Sequence, residues 1–300
     1  MELLREKSGR RVCVTGGAGY IGSWQVKKLL ERGYIVHATL RNLDDVSKVG
    51  LLKGFPWAEE RLLLFKADIY KPDEFESAIQ GCEFVFHVAT PFHNTHDTQY
   101  KNTVEAAVAG ARTIAMCCVR SETVRRLIYT ASVVSASPIK DNDGRSGFKD
   151  FIDETCWTPL DLCISPYTND FLKAYQDSKT LAEKEILSFG KENGGALEVV
   201  TLASGLVGGD TVLWFTPTSV QVLISQLTNC EPHYNSLKYL EGLLGKIPLV
   251  YIDDVCEALI FCMENPSVHG RILCASSYVS SAEIASYYRQ HYPQFHVKQE

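Results

Sequence analysis

The stretch RVCVTGGAGYIG, residues 11–22, decides the fold of this 300-residue chain. Its first five residues are rich in β-branched side chains, and glycines follow at positions 16, 19 and 22. Such glycines permit a tight turn, a close approach of the backbone to a pyrophosphate, and close contact between a strand and the next helix. A helix pattern starts at residue 21, so the free N–H groups and positive dipole end of that helix face the turn. The stretch therefore predicts a dinucleotide-binding strand–turn–helix unit.

Short apolar runs alternate with amphipathic helix patterns over the first two thirds of the chain. The runs predict strands at residues 11–15, 35–40, 62–66, 84–89, 126–130 and 198–202, and the patterns predict helices at 21–32, 72–80, 104–119 and 177–192. Strands that are apolar throughout are buried on both faces, which indicates a parallel sheet covered by helices. With right-handed crossovers, these elements give an α/β fold with a Rossmann-type doubly wound parallel sheet.

After residue 205 the alternation becomes irregular. A helix-like stretch at 216–227 and a glycine-rich turn at 242–245 precede apolar runs at 247–252 and 271–275. We predict a nucleotide-binding domain over residues 1–203, with returning elements at about 246–265, and a smaller C-terminal substrate-binding lobe over residues 204–300. An α/β barrel would need eight regular units, which this pattern does not supply.

The composition excludes several classes of protein. With 45% hydrophobic and 22% charged residues, the chain is close to the average for globular proteins. A net charge of -6 without a basic face argues against nucleic acid as a partner. The longest apolar stretch, residues 199–207, is far shorter than the roughly 20 residues of a membrane span, and the charged N-terminus lacks the core of a signal peptide. The 10 cysteines show no Cys-x-x-Cys spacing, so we expect reduced thiols and a cytoplasmic location.

The residues after the second predicted strand select the nucleotide. NAD-binding folds place Asp or Glu here to accept a hydrogen bond from the ribose 2′-hydroxyl, whereas arginine meets a 2′-phosphate. This chain has Arg41 in that place, with Lys48 a little further on. Because a guanidinium binds phosphate in a bidentate manner, we expect NADPH/NADP+ as the cofactor. Asp68, after the third predicted strand, is a candidate partner for the adenine amino group.

A tyrosine and a lysine four residues apart form the candidate catalytic pair. Tyr175 and Lys179 share one face of a predicted helix. A free tyrosine has a pKa of about 10, so acid–base work near neutrality needs a shift of about 3 units, which a neighbouring ammonium partly supplies. The same spacing recurs at Tyr234 and Lys238, but no predicted strand ends beside that copy. Ser132 follows the strand at 126–130, where parallel sheets bind ligands, and this favours the pair at Tyr175.

Three histidines, His87, His93 and His96, lie close together near the strand predicted at 84–89. A metal site would need further His, Cys, Asp or Glu ligands at matching spacing, and the sequence has no second cluster of this kind. We therefore expect packing or surface positions for these imidazoles and no bound metal.

Together with further sequence blocks, these residues resemble the extended short-chain dehydrogenases/reductases. More narrowly, the chain resembles the plant group of dihydroflavonol 4-reductase, anthocyanidin reductase, vestitone reductase and cinnamoyl-CoA reductase. The resemblance rests on VCVTGG at 12–17, VFHVATP at 85–91, YTAS at 129–132, DETCW at 153–157, SKTLAE at 178–183 and GR at 270–271. It runs from about residue 10 to the end of the chain.

The resemblance implies a role for each matching position. The implied cofactor contacts are Thr15, Gly16, Gly19, Tyr20, Ile21 and Gly22 for the pyrophosphate, Arg41 and Lys48 for the 2′-phosphate, Asp68 and Ile69 for the adenine, and Val88, Ala89, Thr90 and Ala203 for the nicotinamide. Ser132 would hydrogen-bond the substrate carbonyl, and Tyr175 would protonate the developing alkoxide. Lys179 would hold the ribose and tune Tyr175.

The chain departs from this family at several positions. The family commonly has proline at the positions of Ala203 and Gly209, so we expect a different backbone over the nicotinamide. Tyr251 stands where the family generally has histidine. Ser137 stands where dihydroflavonol reductases often have asparagine, and this difference removes an amide contact to the substrate ring. The connection from residue 132 to 175 is longer than usual, and we expect a C-terminal end shortened relative to the family.

The resemblance implies an NADPH-dependent reductase of a flavonoid-type carbonyl, namely the 4-keto group of a dihydroflavonol or flavanone. Reduction of an anthocyanidin or of another phenylpropanoid carbonyl is the alternative within the same chemistry. A nucleotide-sugar epimerase shares the glycine turn but generally has aspartate at the position of Arg41. A non-catalytic NADP-binding protein would tend to lose the tyrosine–lysine pair. We expect a small aromatic carbonyl substrate and a monomer or weak dimer, with no nucleic acid and no membrane span.

Overall fold

The structure of the chain is a computed structural model that describes residues 9–91, 99–140, 147–160, 162–193 and 195–298. Its strands are β1 Arg11–Thr15, β2 Ile35–Leu40, β3 Leu62–Lys66, β4 Phe84–His87, β5 Arg126–Ser132, β6 Glu198–Ser204, β7 Leu206–Gly208, β8 Ile247–Tyr251, β9 Gly270–Cys274 and β10 Ser277–Val279. Its helices are α1 Tyr20–Glu31, α2 Val46–Lys53, α3 Ala58–Arg61, α4 Glu76–Ile79, α5 Thr103–Arg120, α6 Asp170–Glu192, α7 Thr218–Leu223, α8 Ser225–Thr228, α9 Glu231–Leu244, α10 Ile252–Glu264 and α11 Ser281–His291. Short 3-10 turns span Pro72–Phe75 and Val133–Ser135.

Seven parallel strands form the central sheet in the order β3-β2-β1-β4-β5-β6-β9, which confirms the predicted Rossmann-type fold. The strand order reverses between β1 and β4, because β2 lies on one side of β1 and β4 on the other. Ligands of doubly wound sheets bind outside the carboxyl ends of the strands at such a reversal. The chain residues at that point are Thr15 and His87, which are paired in the register of the two strands.

Helices cover both faces of the sheet, as continuously apolar strands require. On one face α1 and α10 pack their buried aliphatic side chains, such as Leu29 and Leu259, against the sheet. On the other face α4, α5 and α6 do the same, with Ile114 and Ile186 fully buried. Each such side chain stabilises the fold by about 1.5–3 kcal/mol. Packing on both faces therefore stabilises the sheet, including its edge at the carboxyl ends of the strands.

Helix α6 carries the candidate catalytic pair and begins earlier than the sequence predicted. It starts at Asp170 instead of residue 177, because Asn169 caps it by accepting a hydrogen bond from the Leu172 amide at 2.9 Å. Tyr175 therefore lies in the second turn of this helix, and Lys179 lies one turn further on. Both residues are held inside regular helix, which fixes their backbone.

The C-terminal third adds a strand to the large sheet and builds a second sheet. β9 joins the large sheet beside β6, whereas β10, β8 and β7 form a separate three-stranded sheet. Of the returning elements predicted at 246–265, α10 packs against the large sheet, but β8 belongs to the small one. The strand that returns to the large sheet is β9, outside the predicted range. The division at residues 203 and 204 stays a prediction.

Two further features concern the surface and the thiols. Within the described part of the chain, no helix combines the length and apolar character that crossing a membrane would require. All 10 cysteines are free, and Cys13, Cys118 and Cys256 are among those buried in the core.

Candidate active site

The glycine turn after β1 forms a cradle at the N-terminus of α1. Gly16 has a φ of +68°, and its amide donates to the Thr39 hydroxyl oxygen at 3.1 Å. A Cβ added at Gly22 would lie 2.2 Å from the Gly16 carbonyl oxygen, so only glycine fits there. Gly19 caps α1 without a side-chain hydrogen bond. The first-turn amides of the helix therefore have no side-chain cap, and uncapped amides at a helix N-terminus can bind a pyrophosphate.

Thr15 ties the ends of β1 and β4 together at the strand-order reversal. Its hydroxyl oxygen accepts hydrogen bonds from the Val88 and Ala89 amides, each at 3.0 Å, and lies 3.0 Å from His87 Nδ1. Because that oxygen already accepts two N–H bonds, its own proton is directed to Nδ1 of a neutral imidazole. Burial, assisted by the charge of Lys179, lowers the pKa of His87 to about 3. The Thr15 side chain is thus fully used inside the protein, and sequence analysis missed this role of His87.

The residues predicted at the adenine end lie where the second and third strands finish. Arg41 follows β2 and is exposed. Lys48, in the first turn of α2, forms an ion pair with Asp45 at 2.8 Å. Asp68 accepts a hydrogen bond from the Tyr70 amide at 3.1 Å, which holds its carboxylate beside β3. Sequence analysis missed Asp45, which competes for the Lys48 ammonium.

Ile69 and Ala203, both predicted cofactor contacts, are largely enclosed by protein. Ile69 is buried, and its Cδ1 atom lies 2.8 Å from where a Cβ at Gly110 would stand. Ala203 is fully buried inside β6, where it pairs with Ala131 and Leu273. Because both side chains are buried against protein, their predicted contacts with the cofactor gain no support from this geometry.

The predicted nicotinamide end meets the catalytic helix. Val88, Ala89 and Thr90 follow β4 and are half-buried. The Lys179 ammonium donates to the Thr90 hydroxyl at 2.9 Å and to the Thr130 carbonyl at 3.1 Å. These two bonds fix the lysine between the ends of β4 and β5. Burial lowers its pKa to about 8, and the carboxylate of Glu183 opposes that shift.

Ser132 and Tyr175 form the centre of the site. Ser132 ends β5, and its hydroxyl is hydrogen-bonded to the Tyr175 phenol from α6. Burial raises the pKa of Tyr175, and the bond with Ser132 opposes the rise. Sequence analysis attributed a lower tyrosine pKa to the Lys179 ammonium. In the structure the pKa of Tyr175 is raised by burial, Ser132 is the group that opposes this rise, and the Lys179 ammonium is bonded to Thr90 and Thr130.

The competing pair, Tyr234 and Lys238, lies on α9 in the C-terminal part. Tyr234 is buried on α9, with the Lys298 ammonium 4.3 Å from its ring. Lys238 donates to Glu241 at 3.0 Å and to the Ser281 hydroxyl at 3.1 Å. Neither residue lies at the end of a parallel strand, so the geometry favours Tyr175 and Lys179.

Ser137 does not face the site. It is buried, its hydroxyl donates to the Leu243 carbonyl at the end of α9 at 2.5 Å, and its amide donates to the Thr158 hydroxyl at 2.9 Å. This geometry gives Ser137 a structural role, and its predicted contact with a substrate gains no support from it.

Two of the departures from the family pattern touch each other. A Cβ at Gly209 would lie 2.1 Å from the ring of Tyr251, and the φ of Gly209 is +104°. The Tyr251 hydroxyl donates to Asp210 at 2.7 Å, and the Tyr20 hydroxyl lies 3.4 Å from the Gly209 carbonyl. Glycine at 209 therefore makes room for the aromatic ring at 251, close to the start of α1.

The structure also bears on the histidines. Within residues 9–91 and the other described ranges, no group of His, Cys, Asp and Glu side chains could hold a metal ion. His93 and His96 lie outside the described residues.

Comparisons with known proteins place the chain in a family. Residues 12–274 match the model of the NAD dependent epimerase/dehydratase family. The chain is 36% identical over 294 residues to dihydroflavonol 4-reductase from Callistephus chinensis, a match that covers 98% of this chain and 76% of that protein. It is 33% identical over 299 residues to anthocyanidin reductase from Arabidopsis thaliana, covering 100% of this chain and 85% of that protein.

A solved structure gives the same result. Vestitone reductase from alfalfa (Medicago sativa) superposes with a TM-score of 0.75 and 35% sequence identity, covering 96% of this chain and 83% of that protein. The predicted resemblance is thereby confirmed. The chain belongs to the NAD dependent epimerase/dehydratase family of extended short-chain dehydrogenases/reductases and is an oxidoreductase that uses a nicotinamide dinucleotide.

Proposed function

We propose that this chain is an NADPH-dependent reductase of a flavonoid-type carbonyl, the 4-keto group of a dihydroflavonol or flavanone. The observation that carries the proposal is the hydrogen bond between Ser132 and Tyr175, with Lys179 one helical turn away. These residues lie at the carboxyl ends of the strands, beside the glycine turn. A carbonyl placed between the hydroxyls of Ser132 and Tyr175 would replace their mutual hydrogen bond and accept one from each.

The protonation states suit reduction. When bound, the dinucleotide supplies a hydride to the carbonyl carbon. Tyr175 transfers its phenolic proton to the carbonyl oxygen, so the product is an alcohol and the phenolate regains its proton from solvent. Ser132 donates a hydrogen bond to that oxygen as negative charge develops on it. Because burial raises the pKa of Tyr175 and leaves that of Lys179 near 8, both groups carry their protons at neutral pH.

The preference for NADPH is proposed from the charge at the end of β2. Arg41 is exposed in the position where NAD-binding folds place a carboxylate. A guanidinium is suited to bidentate binding of a 2′-phosphate. Lys48 would add a second positive charge only if it exchanged its partner Asp45 for the phosphate.

The aromatic substrate class is proposed from the relatives' names and from one exposed ring. Phe171 is 48% exposed and lies one helical turn before Tyr175 on α6. A ring at this place can stack against an aromatic substrate whose carbonyl reaches Tyr175. Relatives at 33–36% identity are named as reductases of dihydroflavonols and of anthocyanidins. Both of these substrates are aromatic compounds.

Anthocyanidin reduction is the second candidate. The named anthocyanidin reductase aligns with 100% of this chain. The burial of Ser137 also leaves the dihydroflavonol assignment without the polar contact that the family places there.

The test is NADPH oxidation, followed by absorbance, with a flavanone, a dihydroflavonol and an anthocyanidin in parallel. NADH and the variant Tyr175→Phe serve as controls. We expect turnover of one of these substrates, a preference for NADPH, and loss of turnover in Tyr175→Phe with unchanged cofactor affinity. Equal activity of Tyr175→Phe, or exchange of a sugar epimer with NAD instead, would contradict the proposal.

We further propose a monomer or weak dimer in the cytoplasm. The 10 free cysteines fit a reducing compartment. Gel filtration at micromolar concentration should give a mass near 33.5 kDa or twice that value. A stable tetramer would contradict this part of the proposal.

A further inference from the structure

A buried ion pair lies directly behind the proposed catalytic residues. Glu183 is fully buried on α6, one helical turn after Lys179, and Arg271 is buried on β9. The Arg271 Nε atom donates to Glu183 Oε1 at 2.9 Å, and Nη2 lies 3.3 Å from Oε2. Thr201 on β6 donates to the same carboxylate at 2.8 Å. The pair therefore joins the catalytic helix to two strands of the sheet.

Ser135 connects this pair to the turn that follows Ser132. Its hydroxyl lies 2.5 Å from Glu183 Oε2 and 2.7 Å from the Ser132 carbonyl oxygen, and it accepts a hydrogen bond from Arg271 Nη2 at 2.9 Å. A hydroxyl has one proton, so Glu183 and the Ser132 carbonyl compete for it. The turn Val133–Ser135 is thus held against α6 through the carboxylate of Glu183.

The guanidinium also anchors the segment before the catalytic helix. Arg271 Nη1 donates to the carbonyls of Cys156 and Glu154, and its Cζ atom lies 3.8 Å from the centre of the Trp157 ring. The Lys184 ammonium lies 5.0 Å from the same ring. Arg271 therefore joins four parts of the chain: β9, α6, the turn after β5, and the segment around Trp157.

The carboxylate contributes charge as well as position. Lys179 is faced by Tyr129 from β5, whose ring centre is 5.6 Å from the ammonium, by His87 from β4, and by Tyr175 and Glu183 on its own helix. Of these groups, Glu183 is the one that raises the pKa of Lys179 against the effect of burial. Without that charge, the ammonium would lose its proton at a lower pH.

We propose that Glu183 and Arg271 form a positioning unit of the active site. The unit holds the turn after Ser132 against the helix that bears Tyr175 and Lys179, and it supplies the negative charge close to the Lys179 ammonium. The inference rests on the proposed function, which assigns Ser132, Tyr175 and Lys179 to catalysis. It adds two residues, 88 positions apart in the chain, whose side chains are buried in the protein.

The test compares two changes that each remove a carboxylate from a buried arginine. Glu183→Gln removes the partner of Arg271. Glu198→Gln removes the partner of Arg126, which is 2% exposed and lies at the opposite end of β5. Each variant leaves a buried arginine without its carboxylate, and the loss of stability should be smaller for Glu198→Gln because the Glu198 side chain is 49% exposed. Only Glu183→Gln alters the surroundings of Lys179.

For Glu183→Gln we expect kcat to fall by about 10- to 100-fold because the reacting groups are misplaced, with the Kd for NADPH changed by less than about 3-fold. The alkaline limb of the kcat/KM profile should move to lower pH. Glu183→Asp keeps the charge and shortens the side chain, so it should lower kcat and retain the position of that limb. Glu198→Gln should lower the Tm and leave kcat and the pH profile unchanged.

Ser135→Ala is the second variant, in case Glu183→Gln does not fold. It leaves the ion pair in place and cuts only the link to the turn, so kcat should fall while the pH profile stays. A wild-type kcat in Ser135→Ala, or a pH profile of Glu183→Gln that matches that of Glu198→Gln, would overturn the inference.

A failure of the proposed function would be recognised separately. If the wild-type chain reduced no flavonoid carbonyl, the titration of Lys179 could still be followed through its Cε resonance in protein labelled with 13C-lysine. A lower midpoint in Glu183→Gln would support the positioning unit, and an unchanged midpoint would overturn it. If the wild type turned over substrate and Glu183→Gln behaved like it, the inference alone would fail.

Discussion

Replacing Gly22 by alanine should separate cofactor binding from ordinary helix stability. The added Cβ would stand 2.2 Å from the Gly16 carbonyl oxygen and 3.2 Å from the Gly17 Cα atom. Both neighbours are backbone atoms of the cradle, so the turn must shift by about 1 Å to restore an ordinary contact of about 3.4 Å. Forced repacking of this kind typically costs about 1–3 kcal/mol, which offsets or exceeds the gain of about 1 kcal/mol from alanine in a helix.

The matched control is Gly50→Ala. Gly50 also lies inside a helix, α2, but a Cβ there would meet no atom within 4 Å. This variant should be more stable by up to about 1 kcal/mol, because only the helix preference changes.

Isothermal titration with NADPH and thermal unfolding would measure both effects. We expect the Kd of Gly22→Ala to rise by about 10-fold or more, equivalent to about 1.4 kcal/mol, together with a lower Tm. Gly50→Ala should keep the wild-type Kd. An unchanged Kd in Gly22→Ala would refute the assignment of this turn to the pyrophosphate.

Two more predictions concern cofactor choice and pH. Arg41→Gln should raise the KM for NADPH by about 10-fold or more and leave the KM for NADH nearly unchanged, since a charge-assisted bond to phosphate contributes about 1.5–3 kcal/mol. Steady-state kinetics with both cofactors would check this, and an equal change in the two KM values would contradict it. Burial lowers the pKa of His87 from 6.5 to about 3, so its contribution to stability is present above pH 6.5 and is lost as the pH falls toward 3. The loss is at most about 1.4 kcal/mol per pH unit. The free energy of unfolding, measured in urea at pH 7 and at pH 5, should differ less between the two pH values in His87→Gln than in the wild type.

The large sheet could be predicted from local patterns alone. β1, β2 and β3 have the bounds that the apolar runs indicated, because each run is bordered by turn residues or charges. The start of α6 was missed by seven residues, since Asp170, Lys173 and Gln176 interrupt the apolar residues of its first turns. The cap at Asn169 was the signal that could have found it.

Side-chain partners were less predictable than positions. The ion pair of Lys48 with Asp45 lies within one turn of helix and was open to inference from the three-residue spacing. The burial of Ser137 under α9 depends on contacts with Leu243, 106 positions away, which only the folded path reveals. The same holds for Glu183 and Arg271, which stood in two of the quoted sequence blocks without an assigned role.

Transfer of deuterium from labelled NADPH tests the central claim most directly. The wild-type chain would be given the flavonoid substrate that it turns over best, with (4R)- or (4S)-[4-2H]NADPH in separate reactions. We expect deuterium from one of the two cofactors at the former carbonyl carbon of the product, and none when Tyr175→Phe replaces the wild type. Tight NADPH binding without label in any product would contradict the assignment of this site to carbonyl reduction.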